Sequence, residues 1–141
     1  MDITFNEIRL LKSGEVRCMR AMVQLLQKRF RITAQISVTI AGERRMQTLN
    51  HQYRGKNTPT DVLSFGWKVG KGFVGDVMLC PEHMRRIQKQ WPGTFTQQLA
   101  HRFVHGVLHV IGYDHESQRD VHRMERAERE ILGFDPYRAA L

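Results

Sequence analysis

The chain has 141 residues, 41% hydrophobic and 26% charged, which suits one soluble globular core. Its 22 Lys and Arg against 14 Asp and Glu give a formal charge of +8. The excess is uneven, with 13 basic and 5 acidic groups in residues 1–72 and 9 of each in residues 73–141. A basic half favours a polyanionic partner, above all nucleic acid, though a merely soluble basic surface has the same composition.

Several classes are excluded. Cys18 and Cys80 cannot build a disulfide framework and are not spaced as a CxxC pair; they read as small buried apolar residues in a reducing setting. Asp2 and Glu7 stand where a secretory signal needs Lys or Arg, and no run approaches the ~18 apolar residues of a membrane span. A cytoplasmic protein without a membrane partner, folded as a single domain over residues 1–141, is the expectation.

In chain order, residues 3–5 read as an edge strand. Ser13 can cap a helix to about Phe30, with Val16, Met19, Val23, Leu26 and Phe30 on one face and Arg17, Arg20, Lys28 and Arg29 on the other. Residues 35–41 alternate, with Ile36, Val38 and Ile40 on one side of a half-buried strand. After Gly42 a short helix from about Glu43 to Tyr53 turns Met46, Leu49 and Tyr53 inward. Arg54 to Thr60 contains Gly55, Asn57 and Pro59 and reads as a basic loop. Val62 to Trp67 and Phe73 to Leu79 form strands around a hairpin turn at Lys68 to Gly72. Pro81 opens a helix to about Gln90, Trp91-Pro92-Gly93 breaks the chain, and Thr94 caps a helix to about Ile111. Gly112 stops it, and Ser117 caps a last helix to about Leu132 whose Arg and Glu form a solvated face. The sum is an α+β fold, a single mixed sheet of about four strands covered by about five helices.

The most informative stretch is residues 105–115, HGVLHVIGYDH. His105 and His109 share one helical face a turn apart, and their imidazoles can bind one metal ion. Gly112 can take the αL conformation that ends the helix, so that the chain turns back and His115 supplies a third nitrogen. Three His with an open fourth position are the pattern of a catalytic zinc site. His101, four residues before His105, is a candidate for a contact behind the ligands or to substrate, or simply a packed helical His. His51, His83 and His122 lack a spacing partner and read as structural or surface residues. The spacing is that of the metzincin signature, but Gly106 stands where metalloproteases carry their general-base Glu. Peptide hydrolysis by that route lacks its proton acceptor, and a phosphodiester is the natural alternative on a basic protein.

At these residues the chain resembles the YbeY family of bacterial endoribonucleases. The family motif HGxLHxxGYDH matches residues 105–115, and a second block matches from Leu49 through Arg54, Gly55, Lys56 and Asp61 to Phe65. Gly75-Asp76-Val77 and the ending with Met124, Glu128, Ile131 and Leu132 follow the family pattern too. The resemblance implies a zincin-like metal-bearing helix and one Zn²⁺ per chain on His105, His109 and His115, with an important Arg54. It implies a single-strand-preferring endoribonuclease that matures the 3′ end of small-subunit ribosomal RNA and acts in ribosome quality control. It also implies partners among small-subunit components and an assembly GTPase, with no DNA partner. Asn57 and Gly66 depart from the usual Asp and Pro, and no acidic residue stands near Gln98, which bears on substrate positioning more than on metal binding.

In chemical terms, Arg54 can present its guanidinium fork to the charge that gathers on a pentavalent phosphorus or to a flanking phosphate. Lys56 is a weaker phosphate contact, and Arg17 and Arg20 are candidate RNA contacts. No residue is an obvious general base; Asp114 lies beside the third ligand and could instead orient an imidazole. Water and the RNA 2′-hydroxyl both stand as nucleophiles. Two other readings stay open: a zincin-like hydrolase of another substrate, and a metal-containing RNA-binding assembly factor without nuclease activity.

Overall fold

A computed structural model describes residues 1–138. Its elements run β1 Asp2–Asn6, α1 Ser13–Arg29, β2 Ala34–Ile40, α2 Glu43–Arg54, β3 Val62–Val69, β4 Gly72–Leu79, α3 Pro81–Ile87, α4 Phe95–Val110 and α5 Gln118–Leu132. Short 3₁₀ turns at Ile8–Leu10 and Gln88–Gln90 fill two connections. The expected α+β architecture of one mixed sheet and five helices is what forms. No helix among the described residues is long and apolar enough to cross a membrane.

The strand order is β1-β2-β4-β3. β1 runs parallel to β2 and β2 parallel to β4, while β3 pairs antiparallel with β4. Both outer strands, β1 and β3, are therefore edges. The hairpin is tighter than expected: Val69 pairs with Gly72, so only Gly70 and Lys71 form the turn. Alternation sorts the side chains. Ile36, Val38, Ile40, Val77 and Leu79 are buried on one face, beneath α1, α4 and α5. Against the other face lies only α2, through Met46, where Ala41, Leu63, Met78 and Cys80 form a small second core.

Local chemistry explains the element ends, with some shifts from expectation. Lys12, not Ser13, is the N-cap of α1, and its backbone N–H donates to Glu15 at 2.9 Å. Glu15 in turn accepts from Arg85 at 3.0 Å, tying α1 to α3. Thr94 caps α4 as expected, with its hydroxyl accepting from Gln97 N–H at 3.1 Å and its own N–H donating to the Gln97 side chain at 3.0 Å. Arg54 is the last residue of α2 rather than the first of a loop, because Gly55 at φ 70° supplies the αL cap one residue later. Tyr53 is not buried in the core; it is 58% exposed, its ring lying against Phe65 of β3 at the surface.

α4 lies close on the β3–β4 pair because glycine stands at the contacts. A Cβ at Gly106 would lie 2.7 Å from Cγ1 of Val77, and one at Gly66 would lie 2.8 Å from Cα of Val110. The cysteines behave as apolar fillers. Burial raises the Cys80 thiol to about 11, and Cys18 is raised by burial as well.

Two outcomes follow. Gly106→Ala should overpack this contact and cost about 1–3 kcal/mol, read as a lower denaturant midpoint; an unchanged midpoint would mean that α4 shifts freely. Iodoacetamide at pH 8 should leave Cys80 unlabelled in the folded protein and label it in denaturant, since the thiolate is scarce and the sulfur enclosed.

Candidate metal centre and its cleft

α4 presents His105 and His109 on one face, and Gly112 at φ 104° turns the chain out of the helix. The N–H of Tyr113 bonds back to Leu108 C=O at 3.0 Å, and the reversed chain brings the exposed His115 over the same face. The ring centroids of His105 and His109 are 4.7 Å apart, and those of His109 and His115 are 4.8 Å apart. The donor atoms of all three lie within 4.8 Å of one another. The three imidazoles of the sequence pattern thus converge.

The donor set fits a small divalent ion. The Nε2 atoms of His105 and His109 face each other at 3.1 Å. Two nitrogens on one tetrahedral ion at about 2.0–2.1 Å would stand roughly 3.3 Å apart. Burial, with His105 and His115 adding to it, lowers the pKa of His109 to about 4, so its lone pair is free at neutral pH.

Behind His105 lies Glu128 of α5, fully buried. Its Oε2 contacts Nε2 of His101 and lies 3.3 Å from Nδ1 of His105, while Tyr137 donates its hydroxyl proton to Oε1 at 2.7 Å. Burial pushes the Glu128 carboxyl upward, but the hydrogen bonds from His101, His105 and Tyr137 outweigh it and hold the pKa at about 2. A carboxylate can only accept, so His105 carries its proton on Nδ1 and turns the bare Nε2 toward His109. His101 likewise donates from Nε2, and its Nδ1 accepts from Arg102 at 3.2 Å.

His101, His105 and Glu128 form a second group whose donor atoms are close enough to hold a metal ion. Direct hydrogen bonds already occupy those atoms, so this group serves better to orient His105 than to receive an ion. Arg102 is itself buried; it donates to Asp61 at 2.9 Å and lies 4.2 Å over the Trp91 ring. A continuous chain thus runs from Asp61 through Arg102, His101 and Glu128 to His105.

The three histidines open into a cleft of about 590 Å³, walled by Thr60 to Gly66 of the β3 edge and by Arg54. Folding therefore brings the exposed Arg54 into the same cleft as the imidazoles. Lys56 is exposed and does not line it, and Arg17 and Arg20 project into solvent from α1, outside it. His101 lies buried behind His105, against Glu128. Asp114 does not orient an imidazole; it is exposed and accepts from the backbone N–H of Glu116 at 3.2 Å. The carboxylate on His105 comes instead from α5, which one helix's spacing could not indicate. Asp61 was likewise missed as a site residue, although it lies inside the second sequence block. Its Oδ1 accepts from its neighbour Val62 N–H at 2.8 Å, leaving Oδ2 to Arg102.

Comparison with known proteins places the chain among its relatives. The family model described as "Endoribonuclease YbeY" matches residues 5–134. An Endoribonuclease YbeY of Neorickettsia sennetsu is 37% identical over 134 residues, covering 89% of this chain and 94% of the relative. That of Pseudoalteromonas translucida is 36% identical over 117 residues, covering 77% of each. In fold, the chain is similar to the solution structure of TM1509 from Thermotoga maritima, with a TM-score of 0.57 at 24% identity over 94% of this chain and 90% of that one. With a family model spanning nearly its whole length and the three-histidine cleft formed, this chain belongs to the YbeY family.

Proposed function

We propose that the protein is a zinc-dependent endoribonuclease that prefers single strands, matures the 3′ end of small-subunit ribosomal RNA and serves ribosome quality control in the cytoplasm. The observation that carries this reading is one cleft holding three convergent imidazoles and a free arginine, in a chain of the YbeY family. His105, His109 and His115 would hold one Zn²⁺. When bound, zinc supplies Lewis acidity toward a phosphoryl oxygen and toward water. The ribosomal small subunit and an assembly GTPase are partners on the strength of the family resemblance alone.

The chain's own groups account for the remainder. Glu128 fixes the His105 tautomer and ring plane, and His101 and Tyr137 fix Glu128. Arg54 has no ion-pair partner among the described residues, so its guanidinium is free for a phosphate. Its donors meet the negative charge that grows on the equatorial oxygens as the phosphodiester reacts. Arg17, Arg20 and Lys56 act at longer range, adding salt-screened attraction for the strand. A peptide substrate fits less well: Gly106 offers no carboxylate, and a Cβ there would already lie 2.7 Å from Cγ1 of Val77.

Purified protein should carry about one zinc per chain by elemental analysis, and His109→Ala should lose both zinc and nuclease activity. Equal RNA cleavage by the two proteins would mark a contaminant and favour a binding factor. Glu128→Gln should weaken zinc affinity about 10–100-fold in a chelator competition; unchanged affinity would remove its orienting role. Arg54→Ala should lower the cleavage rate by about 10²–10³ at constant zinc content, with Arg54→Lys recovering part. Wild-type turnover by Arg54→Ala would overturn that assignment.

A further inference from the structure

The sheet face away from α1, α4 and α5 is covered by α2 only at one end. Beyond that cover a groove of about 420 Å³ runs between α2 and the β3–β4 hairpin, lined by Tyr53, Phe65, Trp67, Arg45 and Asp76 among others. Tyr53 is 58% and Trp67 53% exposed. Phe65 and Trp67 lie two residues apart on one strand, so both face the groove, about 6.6–6.8 Å apart along it. The Tyr53 ring packs against that of Phe65 with centroids 4.9 Å apart. Three aromatic rings thus cluster at one end of an edge strand, where a lone exposed apolar residue would need no explanation.

The groove is continuous with the metal cleft. Phe65 lines both, and Arg54, which lines the cleft, directly follows Tyr53. The surroundings are cationic. Arg44, Arg45, Arg54, Lys68 and Lys71 lie on α2 or the hairpin, and none has an ion-pair partner among the described residues. Glu43 on α2 is already paired with Arg86, and the acidic residue lining the groove is Asp76, which pairs directly with Phe65 across the ladder. A carboxylate there repels a phosphate but accepts from a base amino group, so a strand lying in the groove would turn bases inward and phosphates toward the cations. A second copy of this chain, itself at +8, would add like charge to these unpaired cations, whereas an RNA strand brings both phosphates for them and bases for the rings.

We infer that this aromatic face of α2 and β3 is a base-stacking subsite, which seats unpaired bases of the RNA strand that runs on into the three-histidine cleft. Trp67 and Tyr53 supply the stacking surfaces, Asp76 a base-edge acceptor and Arg45 a phosphate contact. This rests on the nuclease reading above.

The test is cleavage kinetics of the zinc-loaded full chain on single-stranded oligoribonucleotides, intact or abasic in the segment flanking the cut. Trp67→Ala should raise KM on the intact strand about tenfold or more, with kcat and zinc content near wild type, and Trp67→Phe should restore most of the loss. Wild type should show a similar KM rise on the abasic strand, and Trp67→Ala should add little to it, because both changes remove one contact. An unchanged KM for Trp67→Ala, or losses that simply add, would overturn the subsite while leaving the nuclease intact. Absence of RNA cleavage by wild type would overturn the nuclease reading and the subsite together. Should Trp67→Ala fail to fold, Trp91→Phe leaves Trp67 as the sole tryptophan, and a 2′-O-methyl oligonucleotide should quench its fluorescence at saturation; no quenching would overturn the proposal. Loss of ribosomal-subunit binding by Trp67→Ala with RNA kinetics unchanged would mark a protein-docking face and overturn it as well.

Discussion

The close approach of α4 to the β3–β4 pair is the contact on which the site depends. Gly106 lets the helix backbone seat on the Val77 side chain, and Gly66 lets the strand backbone meet the Val110 backbone directly. That closeness sets His105 and His109 directly beside an edge strand and makes a cleft of what would otherwise be a helix surface. It also explains Gly106 by packing. The residue that departs from the metalloprotease signature is the one the sheet leaves no room to fill, so the chemistry and the fold disfavour a carboxylate there for the same reason.

A second constraint is the buried charge of Glu128. A fully buried carboxylate is costly unless several donors reach it, and here two imidazoles and a phenol do so. The arrangement continues outward through His101 and Arg102 to Asp61, which stands on the cleft wall. Ligand orientation on α4 is thereby linked to the start of β3 by groups that are each hydrogen-bonded. Satisfying one buried anion and presenting one ring nitrogen are the same structural event.

β3 serves two surfaces because it is an edge. Its backbone and one set of side chains border the histidine cleft, while Phe65 and Trp67 of the other set border the aromatic groove. The period of two in an extended strand permits this division, and Phe65 near the rim belongs to both. The unpaired cations of α2 and the hairpin surround the two surfaces, whereas Arg17 and Arg20 stand apart on α1. The excess charge of the first half is therefore spread over two regions, of which only one adjoins the cleft.

What the sequence determined by itself was most of what is carried within one element or one turn. Alternation marks a strand at 35–41 and the hairpin turn one at 73–79, each within one residue of the strand that forms; Thr94 and Gly112 mark the ends of α4, and the four-residue step with a following glycine goes with the convergence of His105, His109 and His115. These are short-range consequences of backbone geometry. The tertiary structure decided what depends on distances between elements: the order β1-β2-β4-β3 with its two parallel pairings, the inward aim of Gly106, and the arrival of Arg54 in the cleft. It also decided that Glu128, read from the sequence as part of a solvated Arg/Glu helix, is instead the buried partner of His105 and that Tyr53 is exposed. Periodicity states which residues share a face. Which other element that face meets, and whether it is covered at all, is set by packing between residues distant in the chain.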